Sequence, residues 1–143
     1  MHDLLKNVKV TRVAAVQSAA GTDYTAAASV DMQGFEGCIF LLSMGTAAAD
    51  NGIKVRQSAD DSSYADLAGT SVLSDATETN IVVDVYKPTD RYLKPTAIRG
   101  TSTTIESIWA IQYGARKGPI NNDSTAAQAA EPQISPAEDF FFF

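Results

Sequence analysis

The sequence predicts an all-β fold: a single antiparallel β-sandwich, jelly-roll-like, followed by an extended C-terminal arm. Three observations carry this. Short segments of β-branched and aromatic residues recur about every ten residues between clusters of Gly, Asn, Asp and Pro, the spacing of a sandwich or barrel. The clearest of them, Thr79 to Tyr86, alternates with a period of two, placing Ile81, Val83 and Val85 on one face and Asp84 and Tyr86 on the other. Beyond Pro119 the composition shifts to Ala, Asn, Gln, Pro and acids, and the chain closes on four consecutive phenylalanines.

Met1 to Asn7 reads as a lead segment. Val8 to Val16 and Tyr24 to Met32 are the weaker strands, separated by Ser18 to Thr22, and the first is a candidate for pairing with a neighbouring chain. Phe35 to Met44 is apolar on both faces, with Cys38, Phe40, Leu42 and Met44 opposite Ile39 and Leu41, which predicts a central strand. Asn51-Gly52 is a pair that tolerates positive φ, so it is expected to form a tight turn launching a half-exposed strand from Ile53 to Ser58.

Asp60 to Ser63 is a further turn, followed by Tyr64 to Leu67 and the apolar pair Val72 and Leu73. The strand ending at Tyr86 stops at Lys87-Pro88, because proline has no N–H for the ladder. Pro95 for the same reason predicts an edge or a bulge in Arg91 to Arg99. Ile105 to Tyr113 has Trp109, Ile111 and Tyr113 on one face and Ile108 and Ala110 on the other, again a central pattern. The alanine clusters at 26–28 and 47–49 lack helix caps and are read as loops or close-packed strands. Residues 8–118 are therefore the sandwich domain and 119–143 the arm.

Composition removes several function classes. At 143 residues and 45% hydrophobic, the chain can bury one ordinary core. Its net charge of −6 disfavours direct contact with nucleic acid, since phosphate affinity needs clustered Lys and Arg and these are scattered among acids. The longest apolar run, Cys38 to Leu42, is far below the roughly 18 residues that span a bilayer, and the first residues lack a secretory h-region. A soluble protein made inside the cell is the expectation, with no membrane partner.

Catalytic and metal chemistry find few groups. The one histidine, His2, lies beside a terminus, so a triad has no structured imidazole. The one cysteine, Cys38, sits in an apolar run and reads as a buried, inert thiol, leaving neither a disulfide framework nor a zinc cage. Asp60 and Asp61 fall in a turn, where Asp caps backbone amides, and no glycine-rich phosphate cradle is present. The expectation is a protein that is not an enzyme, has no catalytic residues and needs no cofactor.

Two interaction signals remain. Ordering the backbone costs about 1 to 2 kcal/mol per residue, which a segment as polar as Asn121 to Asp139 cannot offset alone. Phe140, Phe141, Phe142 and Phe143 would bury a few hundred Å² of aromatic surface if docked, worth several kcal/mol at about 25 cal/mol per Å². Together with Ile134 they are expected to anchor the arm on a neighbour or, alternatively, on their own domain. Arg116 and Lys117 form a basic pair at the arm's base, suited to an acidic patch on a partner or simply solvated.

The segments Gln57 to Leu67, Lys87 to Leu93 and Tyr113 to Pro119 resemble small structural proteins of tailed bacteriophages, and the resemblance covers most of residues 8 to 120. It implies a β-sandwich and the role of a capsid decoration or cement protein. Such a protein sits on the outer surface of the virion shell, an oligomer with a trimer favoured, contacting the major capsid protein and copies of itself and bridging neighbouring subunits. Two alternatives stay open. One is a tail or neck component, and the other is a carbohydrate-binding host-attachment module using Trp109, Tyr113, Tyr86 or Tyr92. The strong patterning around those four aromatics predicts core packing instead.

Overall fold

Alternating burial along the strands builds two antiparallel sheets that face each other across one core. The computed structural model describes residues 4–45, 49–75, 79–118, 120 and 122. A 3-10 turn at Leu4–Lys6 precedes β1 (Lys9–Ala14), β2 (Gln17–Ala20), β3 (Tyr24–Thr25), β4 (Val30–Asp31), β5 (Gly37–Met44) and β6 (Ala49–Ser58). Then come β7 (Ala65–Asp66), β8 (Val72–Asp75), β9 (Asn80–Tyr86), β10 (Tyr92–Ile98) and β11 (Thr103–Tyr113). The first sheet runs β1-β11-β5-β9, with β2 continuing the β1 side along β11. The second runs β3-β10-β6-β7, with β4 extending the β3 side and β8 the β7 side. The chain crosses between the sheets repeatedly as it proceeds, which is the jelly-roll winding expected from the sequence.

The core lies between the sheets. Phe40, Leu42 and Met44 of β5, Ile105, Ile108 and Ala110 of β11 and Ile81, Val83 and Val85 of β9 meet Ile53 and Val55 of β6 and Leu93 and Ala97 of β10. Cys38 is fully buried among them, and burial pushes its thiol ionisation upward, as expected of an inert cysteine. Both strands read as central from their two apolar faces, β5 and β11, occupy the middle of the first sheet.

Four expectations change. The first strand pairs with β11 of its own domain rather than with a neighbour, and the loop expected at Ser18 to Thr22 contains β2. Asn51-Gly52 is not a turn but lies inside β6, where Asp50 has a φ of 67° and the register with β8 shifts. Asn51 is fully buried there, and its side chain accepts the Gly100 N–H at 2.6 Å and donates to Thr103 at 3.2 Å. A polar pair that looks like a hairpin signal is in fact a buried corner staple. Gly52 is required because a Cβ would stand 2.2 Å from the Val72 carbonyl oxygen.

Pro95 does not mark an edge. Strand β10 is interior, paired along its length with β6 on one side and with β4 and β3 on the other. The Pro95 carbonyl accepts the Ala26 N–H at 3.0 Å, so the missing N–H faces the gap where β3 and β4 are interrupted. The ladder with β6 therefore loses nothing. The fourth change concerns the aromatics. Trp109 and Tyr113 lie on the outer side of β11, opposite its buried Ile108, Ala110 and Gln112, and Tyr86 is 59% exposed.

Polar side chains tie down the corners. Arg99 is nearly buried and donates to the carbonyls of Thr22, Ser18 and Thr103 at 2.7, 2.9 and 3.3 Å. Asn122 is also fully buried. It donates to the carbonyls of Leu5 and Val8 at 3.1 and 3.0 Å and accepts the Val10 N–H at 2.9 Å. The chain leaving β11 thus returns to the outer edge of β1 before entering 123–143.

Candidate functional site: an apolar outer sheet face

In a sandwich each strand buries alternate residues, and the other half should be polar. The second sheet follows this rule across β6, β7 and β10, with Val72 and Leu73 of β8 as exposed apolar exceptions at its margin. Its outer surface carries Lys54 and Arg56 paired with Asp66, Arg91 in a bidentate pair with Asp31, and Lys94 over the Tyr64 ring at 4.9 Å. Arg91 sits 5.0 Å from the Tyr92 ring centroid, so the remaining aromatic candidate belongs to this charged surface.

The first sheet breaks the rule. Registered cross-strand rows on its outer side read Arg12-Trp109-Leu41-Val82, then Val10-Ile111-Ile39-Asp84. Trp109, Leu41, Ile39, Ile111 and Val10 are half-buried against one another, and Val82 is 54% exposed. Toward one end, Ser107, Ser43 and Asn80 form a polar row, and a groove of about 230 Å³ lies between Trp109, Leu41 and Val82. Toward the other end the row is Tyr113-Gly37-Tyr86.

Gly37 explains the tyrosine geometry. A Cβ at Gly37 would stand 2.3 Å from the Tyr113 ring, so the absence of a side chain lets that ring lie across β5. Its hydroxyl then donates to Asp84 on β9 at 2.6 Å. Burial, and next the bond to Asp84, push the Tyr113 ionisation up to about 12. Tyr86 donates to Glu36 at 3.2 Å, and Lys87 stands 5.3 Å from the Tyr86 ring centroid at the end of the face. Arg12 donates to the Glu106 carbonyl at 3.0 Å and Ser43 to the Glu106 carboxylate at 2.9 Å, which closes the polar rim.

With strands about 4.8 Å apart and same-face residues about 6.8 Å apart, these three rows cover about 400 Å². That is the area of the whole face, Arg12 and Asp84 included, and its apolar part centres on Trp109, Leu41, Ile39, Ile111 and Val82, rimmed by polar groups as interaction surfaces are. Strand β9 ends the sheet here, with no strand paired on its outer side among the described residues. An aromatic centre, aliphatic surroundings and a polar rim form the layout of a protein interface.

A second concavity, about 520 Å³, lies at one end of the sandwich between Met32, Phe35, Glu36, the Lys87 to Arg91 turn and Arg116. Arg116 is held there by its backbone N–H on the Gly34 carbonyl at 2.9 Å, while Lys117 is exposed beside it. Arg91 in this cleft is already neutralised by Asp31, whose carboxyl the Arg91 bonds hold below its ordinary range. The remaining charges are of both signs, so the cleft has no marked preference for an anion. Ile134 and Phe140 to Phe143 lie outside the described residues.

Sequence reasoning missed the face. The signal is present in the two apolar faces of β5 and β11, which predict a central position and leave open what covers the outward side. A strand central in its own sheet still turns one side outward, and in a two-sheet sandwich that side needs a cover.

Among the described residues no group of three or more His, Cys, Asp or Glu side chains could hold a metal ion, and no helix is long and apolar enough to cross a membrane. No protein-family model and no curated protein matches this chain. Solved structures are similar to it to different degrees. The chain is similar to PBSX exported protein XepA, with a TM-score of 0.54 and 17% identity over 97% of this chain and 46% of XepA. It therefore spans about half the length of XepA. SPBc2 prophage-derived protein YomS aligns at a TM-score of 0.49 and 10% identity, covering 74% of this chain and 92% of YomS. A structure described under Bacillus endospore appendages that form disulfide-linked pili aligns at 0.45 and 12%, covering 76% and 88%. At these identities the likeness to XepA establishes the sandwich fold.

Proposed function

We propose that this chain is a non-enzymatic virion structural protein that binds the outer surface of a phage capsid and stabilises the shell by bridging neighbouring subunits. Its partners on this reading are the major capsid protein and copies of itself, with a trimer favoured, and it uses no cofactor, nucleic acid or membrane. The observation that carries the reading is the asymmetry of the two outer faces: one is charged and ion-paired, the other apolar with Trp109 at its centre. A small acidic protein keeps such a face because a partner covers it. The resemblance of three sequence segments to phage structural proteins supports the phage setting, and the sandwich shared with XepA is compatible with it.

Binding only the assembled state stabilises that state by mass action. The test is co-sedimentation with empty capsids of the phage that encodes the chain, paired with the temperature at which filled heads release DNA. Binding together with a raised release temperature is the expected result. Failure to sediment and an unchanged release temperature would oppose the reading, and labelling at the tail in micrographs would favour a tail or neck role.

A second reading has one observation in its favour, the position of Trp109, Tyr113 and Tyr86 on an open face, where rings can stack on sugars. It predicts binding on a glycan array that is lost when Trp109 is replaced by Ala. The Tyr113 hydroxyl is already bonded to Asp84, which leaves it less to offer a sugar.

A further inference from the structure

Resting on the reading of this face as an interface, we propose that its occupant is the segment Phe140 to Phe143 of a neighbouring copy of the same chain. The described domain ends at Asn122, fixed to the outer edge of β1 through Val10, and Val10 is itself part of the apolar rows. From that anchor the far strand of the face, β9, is only about 14 Å away across three strand spacings. The connector 123–139 supplies roughly 17 residues. At about 3.1 Å per residue a proline-containing stretch of that length reaches some 50 Å. Pro132, Pro136 and the acids Asp123, Glu131, Glu138 and Asp139 work against a short return loop. That reach takes in a face on a neighbouring copy as well as the domain's own, and a lattice of copies holds the neighbour's face at high local concentration.

Area and chemistry point to a segment rather than a whole second domain. A stable face-to-face dimer buries about 800 Å² per partner, roughly twice what these rows present. A short run of phenylalanines matches them: in extended backbone alternate rings point the same way, so two phenyls of the run can enter the groove beside Trp109, Leu41 and Val82. The rim holds Lys87 and Arg12 together with Asp84, Glu36 and Glu106, so the fit of the segment rests on its rings rather than on Glu138-Asp139. Arms exchanged in this way would link neighbouring copies on a lattice, each contact being made by a tethered chain at high local concentration.

The chain holds one tryptophan, so Trp109 emission reports the face alone. Two full-length variants separate the copies. The acceptor carries Phe140, Phe141, Phe142 and Phe143 all changed to Ser and keeps Trp109; the donor carries Trp109→Phe and keeps the phenylalanines. Mixing them should lower acrylamide quenching of Trp109 at least about twofold, because a half-open ring becomes shielded from water. A donor that also carries the four serines should have no effect. Two results would overturn the inference: protection in the native chain that is independent of concentration and absent on mixing, which puts the segment on its own face, or no protection in any sample. In either case capsid co-sedimentation of the native chain still decides the interface reading separately.

Discussion

Replacing Val82 by Glu separates a face that holds the domain together from one that holds a partner. Val82 points outward from β9, next to Leu41 in the row centred on Trp109, and 54% of it is open to solvent. Because it is exposed in the isolated domain, a carboxylate there is hydrated and the unfolding free energy should change by no more than about 0.5 kcal/mol. In a complex the same position is covered. Fully burying a valine is worth about 1.5 to 3 kcal/mol, so the half still open contributes about 1 kcal/mol to association. Desolvating an unpaired carboxylate adds at least about 2 kcal/mol against it. The sum, about 3 kcal/mol, weakens binding roughly a hundredfold. Urea titration gives the first number, and co-sedimentation with capsids over a concentration series gives the second. Unchanged capsid affinity would refute the reasoning, as would a loss of several kcal/mol in folding stability, which would make the face structural.

Other positions test the architecture. Arg99→Met removes three hydrogen bonds to the carbonyls of Ser18, Thr22 and Thr103 and should cost about 3 kcal/mol in urea denaturation. Gly37→Ala forces the Tyr113 ring off β5 and away from Asp84; the tyrosine titration should lose a component near 12 and gain one nearer 10, followed by ultraviolet absorbance. Asp31 has its carboxyl pKa lowered, first by the Arg91 side-chain bond, so the stability it contributes is present above its unfolded value near 3.8 and is lost as pH falls through the lower folded value. Asp31→Asn should therefore flatten the acid limb of a stability profile measured between pH 7 and pH 2. Both side chains of the pair are 45% exposed, so the loss at neutral pH stays below about 1 kcal/mol.

The sandwich was legible because period-two patterns survive wherever a strand has one face on the core. β9 shows this: Ile81, Val83 and Val85 are buried and Val82, Asp84 and Tyr86 are not. What failed was punctuation. Asn51-Gly52 and Pro95 carry strong local meanings, a turn and an edge, and tertiary context overrode both. Asn51 finds buried partners in Gly100 and Thr103 some 50 residues away, and Pro95 directs its missing donor into an interruption between two other strands. The weak strand expected from Tyr24 to Met32 is present as two short ladders, β3 and β4, interrupted between Thr25 and Val30, and two-residue pairings leave no period that would reveal the break.

The candidate site was half visible. Trp109, Ile111 and Tyr113 were assigned to one face from their spacing, but which sheet they belonged to, and that the face looked outward, depended on the pairing order β1-β11-β5-β9. Burial pressure and interface pressure write the same apolar residues into a strand. Only the location of the second sheet distinguishes them.

The most direct measurement is hydroxyl-radical footprinting of the protein diluted until it is monomeric and of the protein on capsids, read residue by residue by mass spectrometry. The two outer faces supply their own control, with Trp109 and Tyr86 on the first sheet and Tyr64 and Tyr92 on the charged side. The account predicts that oxidation of Trp109 and Tyr86 falls on binding while that of Tyr64 and Tyr92 does not. Protection of Tyr64 and Tyr92 with Trp109 left reactive would contradict it.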